Sequence, residues 1–478
     1  MKQNPDCTNR PNVKNGLDHA KIWSNLNWVE IRRNVEGLQR RIFRASCEGD
    51  QSRVENLQRL MKNSYHAQCL AVKQITCTNQ GRNTPGSDGL TYKTAEQKSQ
   101  LLHWLNTLNL KHYNPPAVKR VTIKKPNGGL RCLGIPTIKD RCVQFLIKLA
   151  LEPEWEAKFH AHSFGFRPGR STQDAVEKIV DIIKEGNGNF ITNADISGFF
   201  DHVKHDAILR HISLFGDLIK KWLNAGILTT TGFLKSEKGT PQGGIISPLL
   251  ANIALYQLEY AFNKSIRHPH YPNEKITLIR YADDFVLLTR SKWAMKRIGP
   301  PLQKFLKERG LSLNLSKTYT VRKSTGVDFL GFQIVQYPGK AVWVRPSKQS
   351  FKRIQLKVKE TLRLGYQTPL PDVISQLNHV IRGWGMYFRY CKNYNIFGTL
   401  DHYIFQCIWR WCNRQHNTRG KRWIKNRYFT EDWRFTADGR ELVKLQDIKR
   451  RRYSWRINHR SPFDGPLQQF IELKAHTT

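Results

Sequence analysis

The sequence predicts an α+β fold, and three observations support this prediction. Between about residues 80 and 340, short runs rich in Ile, Leu, Val, Tyr and Phe, which are typical of strands, alternate with helical patterns. On both sides of this region, apolar residues recur at every third or fourth position, which indicates helices. With 478 residues, 39% of them apolar, the chain is long enough for roughly two to four domains with hydrophobic cores.

The first region, residues 20–80, is predicted to be helical. Its apolar residues lie on one helical face among Arg and Glu side chains: Val35, Leu38 and Ile42, then Val54, Leu57 and Leu60. The next segment, NQGRNTPGSDGL at residues 79–90, is rich in Gly, Asn, Pro and Asp. We therefore expect a loop there.

Two neighbouring acids interrupt a strand-like segment, RYADDFVLLT at residues 280–289. Carboxylates such as Asp283 and Asp284 repel each other and lose hydration when they are buried together, unless cations lie beside them. Two interpretations are open. The pair lies in a surface turn, where Asp is common, or it forms a metal site at a hairpin tip, since Mg²⁺ prefers carboxylate oxygens.

The metal interpretation needs a third acid from another element. In the segment NFITNADISGFFDHVKHDAIL, at residues 189–209, Asp195 takes the place where the apolar alternation of a strand should continue. A carboxylate on a central strand beside an acidic hairpin would build a site for two cations. Such sites suit phosphoryl transfer, because one ion activates the attacking hydroxyl and the other stabilises the leaving oxygens.

The last third of the chain is predicted to be helical, aromatic and basic. A helix opens at Pro371 with Ile374, Leu377, Ile381 and Trp384 on one face. Residues 381–430 hold 13 aromatic residues, and residues 401–460 hold 16 Lys or Arg against 6 Asp or Glu. Either this is an aromatic core with a solvated face, or the aromatic and basic side chains bind nucleic acid by stacking and phosphate contact.

The charge of the chain predicts a polyanionic partner. There are 78 Lys and Arg against 38 Asp and Glu, a formal net charge of +40, which favours nucleic acid. An anionic membrane is less favoured, because the sequence contains no run of about 18 apolar residues and the start lacks a signal peptide. We expect a soluble intracellular protein. The nine cysteines form no Cys-x-x-Cys pair, so we expect reduced thiols and no zinc.

Four segments together resemble the reverse transcriptases encoded by group II introns of bacteria and organelles. They are SFGFRPGRSTQDAV (163–176), NADISGFFD (193–201), GTPQGGIISPLLANIAL (239–255) and RYADDFVLL (280–288). The resemblance implies a right-hand polymerase with fingers and palm at 81–340. It also implies a helical N-terminal extension at 1–80 that contacts template and intron RNA. RGWGMYFRY at 382–390 is similar to the maturase-specific domain, which forms the thumb at 341–430, and a basic segment at 431–478 would be DNA-binding-like.

The resemblance also implies an active site. Asp195, Asp283 and Asp284 would be catalytic and would hold two Mg²⁺ ions, with the backbone carbonyl of Ile196 completing one site. Phe200 would crowd the sugar 2′ position, so that deoxynucleotides (dNTPs) are preferred.

Five further residues of the nucleotide site follow from the same resemblance. Lys125 and Arg131 would hold the triphosphate on either side of a glycine turn. Gln242 and Gly243 would pack beside the new base pair, and Lys317 could donate a proton to the leaving pyrophosphate.

Six arginines are predicted to contact nucleic acid. Arg167 and Arg170 flank Pro168 and are expected either to touch the template backbone or to stabilise the fold. The others lie in the aromatic and basic region: Arg382, Arg389, Arg410 and Arg422.

The predicted function is RNA-directed DNA synthesis, combined with binding of intron RNA as a maturase that assists splicing. Such a ribonucleoprotein would support intron mobility into a DNA target, using a borrowed primer. No His-Asn-His motif follows the basic segment, so we expect no endonuclease activity. The alternatives are a reverse transcriptase recruited for host defence or CRISPR spacer capture, and a maturase that only binds RNA. The expected location is the bacterial cytoplasm, or an organelle in a eukaryote.

Overall fold

The computed structural model describes residues 19–124, 128–229, 231–262, 274–365, 367–391, 395–451, 453 and 461–465. The helices of these residues are α1 (His19–Ser24), α2 (Trp28–Cys47), α3 (Gln51–Asn63), α4 (Tyr65–Lys73), α5 (Ala95–Thr107), α6 (Ile138–Lys158), α7 (Thr172–Lys184), α8 (Phe199–His202), α9 (His205–Leu209), α10 (Gly216–Leu223), α11 (Ser247–Ala254), α12 (Lys292–Lys296), α13 (Gly299–Glu308), α14 (Lys348–Leu364), α15 (Leu370–Phe388), α16 (Asn395–Gln415) and α17 (Lys421–Tyr428).

The strands are β1 (Val118–Lys124), β2 (Leu130–Ile135), β3 (Phe190–Asp195), β4 (Ile227–Thr229), β5 (Gly232–Leu234), β6 (Thr277–Tyr281), β7 (Asp284–Thr289), β8 (Tyr319–Arg322), β9 (Val327–Phe329), β10 (Phe332–Val335), β11 (Trp343–Pro346), β12 (Thr436–Ala437) and β13 (Arg440–Glu441). This mixture confirms the predicted α+β fold. None of the helices in the described ranges is both long and apolar enough to cross a membrane.

The N-terminal region is helical, as the apolar spacing predicts. Side chains cap its helices: Asn27, Asp50 and Ser64 each accept a hydrogen bond from a backbone N–H in the first turn of α2, α3 or α4. The apolar face of α2, which includes Val35 and Ile42, is buried against α6. Part of the loop expected at 79–90 is a short 3₁₀ turn, Gln80–Asn83.

A first sheet, with the strand order β2-β1-β4-β5, lies within the region predicted to form the fingers and palm, and we call it the fingers sheet. The strands β1 and β2 form an antiparallel hairpin, in which Gly128 has a positive φ of 84°. The strand β1 also pairs in parallel with β4, which lies more than 100 residues later in the chain.

A second sheet, with the order β6-β7-β3-β8, carries the acidic residues. Every pair of neighbouring strands in it is antiparallel. We call this sheet the palm sheet. Its strands β6 and β7 form the predicted hairpin, with Ala282 and Asp283 as the two loop residues.

Both faces of the palm sheet are covered. Leu278, Ala194, Phe285 and Leu287 belong to one hydrophobic core, which they share with the N-terminal helices and with α6, α11 and α13. Residues of the opposite face belong to a second core, which they share with α7 and α14–α17: Ile191, Ile279, Val286 and Leu288. This arrangement explains why β6 and β7 are almost wholly apolar rather than alternating with polar residues.

A three-stranded sheet, β11-β10-β9, spans the predicted boundary between palm and thumb at residue 340 and is followed by α14. Helix α14 packs against α15 and α16. Helix α15 starts with a proline in its first turn, as predicted, and buries Ile374, Leu377 and Ile381. The Tyr387 hydroxyl donates to the Leu330 carbonyl oxygen (2.8 Å), which joins α15 to the turn between β9 and β10.

Candidate active site

The three predicted acids lie together at one end of the palm sheet. Asp195 is the last residue of β3 and stands directly opposite Asp284, the first residue of β7. Asp283 lies beside Asp284 in the hairpin loop, where Ala282 has a positive φ of 59°. The Asp284 carboxyl lies close enough to Asp195 for the latter to help raise its pKa. The antiparallel register therefore brings together acids that are almost 90 residues apart in the sequence.

The electrostatics of this cluster are unfavourable without a cation. Burial raises the pKa of Asp283, with a further contribution from Asp195. Burial and the two neighbouring carboxylates raise the pKa of Asp284 to about 7. Arg131 and Lys317 lower the pKa of Asp283, but by less than burial raises it. Additional positive charge beside Asp283 and Asp284 would therefore stabilise their ionised forms.

Lys317 and Asn314 hold the side chain of Asp195. The Lys317 ammonium donates to Asp195 Oδ2 at 2.8 Å, and Asn314 Nδ2 donates to the same oxygen at 3.3 Å. The Asn314 backbone N–H donates to the Asp195 carbonyl oxygen at 2.8 Å. The hydrogen bond to Asp195 raises the pKa of Lys317, so this lysine is protonated at neutral pH. No pattern in the sequence indicated that Asn314 would contact Asp195.

The chemistry of the cluster suits Mg²⁺, although its geometry is not that of a closed metal cage. Within the described ranges, no group of three or more His, Cys, Asp or Glu side chains is arranged to hold a metal ion. One reason is visible, since Asp195 Oδ2 is bonded to Lys317. The donors Asp283 and Asp284 are carboxylates with raised pKa values. Hard divalent cations prefer such oxygens and relieve their repulsion. Ile196 is buried and forms a bridge to Leu313.

A buried polar network, which sequence reasoning missed, supports the acidic hairpin. Arg280 precedes the hairpin loop, and its side chain is only 1% exposed. Its guanidinium donates to Glu259 Oε1 at 3.2 Å and to Asn252 Oδ1 at 2.9 Å. Asn252 Nδ2 in turn donates to the Gly165 carbonyl oxygen at 2.8 Å. The position of an arginine inside an apolar strand, directly before the acids, is a signal that could have indicated this network.

Gly165 lies directly against the hairpin loop. A Cβ atom at this position would be 2.3 Å from the Ala282 backbone nitrogen, which is much closer than two such atoms can approach. The backbone around it runs beside β6, because Phe164 N–H donates to the Arg280 carbonyl and Arg280 N–H donates to the His162 carbonyl. The SFGFRPGR segment therefore supports the loop through its backbone.

A cleft of about 280 Å³ lies beside β1 and β2, and two residues of the predicted nucleotide site line it. Phe200 and Gln242 line it, together with Gly134 of β2. Arg131 Nε donates to Gln242 Oε1 at 2.8 Å, so the two residues that were predicted separately contact each other. Lys125 lies outside the described residues.

Gly243 permits a close contact of two backbones in this cleft. Its φ is +124°, and a Cβ atom there would be 2.8 Å from the Gly134 carbonyl oxygen. The neighbouring Gln242 carbonyl accepts from the Gly134 N–H at 2.8 Å. Position 243 needs glycine because of its positive φ and because no Cβ atom fits beside Gly134. Phe200 packs edge-on against Phe199 and Phe166, and its carbonyl oxygen accepts from the Thr240 N–H.

For Arg167 and Arg170, the geometry favours the second of their two predicted roles, stabilising the fold. The Arg167 guanidinium makes two hydrogen bonds to the Glu156 carboxylate, at 2.7 and 2.8 Å, and donates to the carbonyls of His160 and Ser163. Arg170 lies 3.9 Å from the same carboxylate. Both side chains are almost fully buried, so neither faces solvent in this conformation.

The other four predicted arginines lie on three successive helices of the thumb region. Arg382 (α15), Arg410 (α16) and Arg422 (α17) are exposed. Arg389, at the end of α15, is half-buried and donates to the Tyr390 hydroxyl at 2.7 Å. Their contact with nucleic acid stays a prediction.

Three family models match successive parts of the chain. They are the N-terminal domain of reverse transcriptase over residues 23–105, reverse transcriptase (RNA-dependent DNA polymerase) over 123–334, and the group II intron maturase-specific domain over 351–429.

Several curated proteins are similar in sequence. Protein YkfC of Escherichia coli K12 is 34% identical over 59% of this chain and 84% of its own length. The group II intron-encoded protein LtrA of Lactococcus lactis is 30% identical over 54% of this chain and 53% of its own length. Maturase-like protein 1 of Euglena gracilis is 26% identical over 80% and 82%. The chain thus spans about half the length of some relatives, including LtrA.

Among solved structures, the telomerase of Candida albicans in complex with a fragment of telomeric RNA is similar over 66% of this chain and 65% of its own, with a TM-score of 0.37 and 14% identity.

Proposed function

Because the chain belongs to the family of reverse transcriptases and maturases encoded by group II introns, we propose that it synthesises DNA on an RNA template with two Mg²⁺ ions at Asp195, Asp283 and Asp284. The observation that carries this proposal is the register of β3 and β7, which sets Asp195 opposite Asp284 and beside Asp283. Three carboxylates that repel each other at the end of a buried sheet destabilise a protein that only binds RNA. They are useful where phosphates react with bound cations.

The side chains around the acids and the cleft have separate roles in this proposal. The chemistry that Mg²⁺ supplies at such a site is activation of the primer 3′-hydroxyl and stabilisation of the leaving pyrophosphate. Arg131 binds the triphosphate of the dNTP, while Phe200 excludes a 2′-hydroxyl by size. Lys317 carries a proton at neutral pH beside Asp195 and can donate it to the pyrophosphate.

Primer extension on an RNA template tests the proposed activity. Asp283→Asn and Asp284→Asn should each lower the extension rate by roughly 100- to 1,000-fold or more, since each removes a charge that acts on the transition state through the cations. Thermal unfolding should show midpoints equal to or above that of the wild type, because one repulsive charge is gone.

Asp217→Asn, in an exposed first turn of α10, is the matched control and should leave the rate unchanged. Full extension by the Asp283 and Asp284 variants, or no extension by the wild type, would remove the catalytic proposal.

The maturase-specific domain supports a second role for the same chain. We infer that the protein binds its intron RNA and assists splicing through binding energy. A protein that binds only the folded intron RNA stabilises that folded RNA by mass action. Mobility of the intron into a DNA target would combine both roles. In a splicing assay at limiting Mg²⁺, Asp283→Asn should still accelerate splicing while primer extension is lost. Equal loss of both activities would contradict two separable roles.

A further inference from the structure

Helices α14 and α16 form a pocket of about 290 Å³ whose rim is entirely basic. We call it the four-cation pocket. Its basic side chains are Lys359 and Arg363 from α14, with Arg410 and Arg414 from α16. All four are exposed, and they surround a buried floor made by Leu362, Cys407 and Trp411. Only Arg410 among them was singled out from the sequence.

The positive charges of the four-cation pocket are uncompensated. On each helix the two basic residues are four positions apart, so they are neighbours on one face, where like charges destabilise a helix. None of the four side chains has an ion pair or a hydrogen bond to any residue that the structure describes, although Lys359 lies 5.9 Å from the Tyr403 ring. A bound anion would reduce the repulsion between these four positive charges.

The acidic residues of the two helices are engaged elsewhere. On α14 the acid is Glu360, whose carboxylate is 3.9 Å from Lys357. On α16 the acid is Asp401, which accepts hydrogen bonds from the backbone N–H groups of Leu445 and Gln446. No carboxylate from either helix lines the pocket. The site is therefore open to an anion from outside the protein.

The four-cation pocket is distinct from a second groove on α14. Arg353 and Lys357 line a different groove, with Leu330 and Gly331 of the β9–β10 turn. At about 100° per residue, Lys359 is turned by roughly 240° from Arg353 around the helix axis. The two sites thus use different residues on neighbouring parts of the α14 surface, and a strand in the four-cation pocket would contact a different set of side chains from a strand in the other groove.

We propose that the four-cation pocket binds the phosphodiester backbone of RNA, in addition to the primer and template held near Asp195. Three planar guanidiniums and one ammonium on facing helix edges can bind adjacent phosphate oxygens. The buried Trp411 and Leu362 exclude water from the floor. This inference rests on the proposed RNA-binding function and specifies the surface that carries part of it.

The double variants Lys359→Gln/Arg363→Gln and Arg410→Gln/Arg414→Gln test the site. Binding of a fluorescent single-stranded RNA to the full chain is measured across a series of salt concentrations. The slope of log K against log salt is negative for RNA binding. Each double variant should make it shallower by roughly 1.4, because each phosphate contact on a single strand contributes about 0.7. Primer extension on a short primer and template should keep the wild-type rate in Lys359→Gln/Arg363→Gln.

Lys304→Gln/Lys307→Gln on α13 is the control, since it removes two exposed positive charges outside the pocket. A wild-type slope in the pocket variants, or an equal decrease in the control, would overturn the proposal. A DNA strand of the same sequence is measured in parallel. A decrease for RNA alone supports an RNA site. A decrease for both strands, with normal primer extension, supports a backbone site that does not read the sugar, and a decrease for DNA alone overturns the RNA assignment.

Lysine acetylation of the wild-type protein gives an independent measurement. Bound RNA should slow acetylation of Lys359 but not of Lys304, and equal rates at Lys359 with and without RNA would overturn the site. If the wild type neither binds RNA nor extends a primer, the proposed function itself fails. If the wild type binds RNA and extends a primer, but the pocket variants bind RNA with the wild-type salt slope, the pocket inference fails and the proposed function stands.

Discussion

At the scale of single residues, the acidic hairpin is positioned by groups outside its own motif. Arg280, Asn252 and Gly165 form a chain of buried contacts that ends at the Ala282 backbone. A buried arginine is costly unless its hydrogen bonds are satisfied, and Glu259 supplies the compensating charge. This network therefore restricts where the hairpin loop can lie relative to β3.

Gly165→Ala should lower the rate of primer extension by roughly 100-fold, because its methyl group would displace the loop and a shift of about 1 Å misplaces reacting groups. The Michaelis constant for dNTP should change little, since the nucleotide cleft lies between other segments. Steady-state kinetics separates the two effects. Gly37→Ala is the control, because a Cβ there meets open space on a helix. Wild-type kinetics in Gly165→Ala would contradict this role.

Phe200→Ala should allow ribonucleotides into the product. The ring lines the cleft beside Gln242, and its removal leaves room for a 2′-hydroxyl. The measurement is the ratio of kcat/KM for a dNTP and the matching ribonucleotide, which corrects for any general loss of activity. An unchanged ratio would show that another residue controls the sugar.

Residue by residue, the sequence predicts the acids better than their supports. Asp195 and Asp283 stand out because each interrupts an apolar strand. Arg280, Glu259 and Asn252 are separated in the chain, and only the folded backbone brings them together. The roles of Arg131, Gln242 and Lys317 came from family resemblance, and the structure adds that Arg131 contacts Gln242 and Lys317 contacts Asp195.

At the scale of elements, helix α6 contains an acid whose ionisation is opposed by burial. Asp140 accepts hydrogen bonds from Trp222 Nε1 (2.7 Å), the Tyr113 hydroxyl (3.1 Å) and Gln144 Nε2 (2.9 Å). Burial nevertheless raises the pKa of Asp140 to about 6. The side chain thus joins α6 to α10 and to the segment before β1.

Because this pKa is raised on folding, the folded state holds the Asp140 proton where the unfolded state has lost it. The contribution of this group to the free energy of unfolding should therefore fall as the pH rises from about 4 to 6, by about 3 kcal/mol in total. Asp140→Asn should lack this dependence. Urea unfolding at pH 4.5 and 6.5 measures it, and an identical pH dependence in wild type and variant would contradict it.

Local elements were predictable, whereas long-range strand pairing was not. The hairpin of β6 and β7 and the start of α15 follow from local patterns of apolar residues and proline. The parallel pairing of β1 with β4 joins Val118 to Ile227. No local pattern indicates it, because each of these strands is short and partly exposed, and the partner is set by how the fingers pack.

At the scale of the whole molecule, the dominant property is the net charge of +40. Such a charge destabilises the compact state through self-repulsion, and a bound polyanion removes it. Heparin should raise the thermal unfolding midpoint, with about 2.7 kcal/mol of added stability at a concentration 100 times its Kd. Neutral dextran is the control. An unchanged midpoint in heparin would show that the folded protein has no preferred polyanion surface.

The palm sheet has a different core on each face, and this determines how the protein can be divided. A fragment that ended before the thumb would keep α7 beside the row of Ile191, Ile279, Val286 and Leu288 but would lose the core residues that α14 to α17 contribute. A fragment without the N-terminal helices would lose part of the core on the opposite face, although α6, α11 and α13 would remain. Either truncated product should aggregate or be degraded during expression. Folding of the sheet that carries the acids therefore depends on helices that precede it and on helices that follow it in the chain.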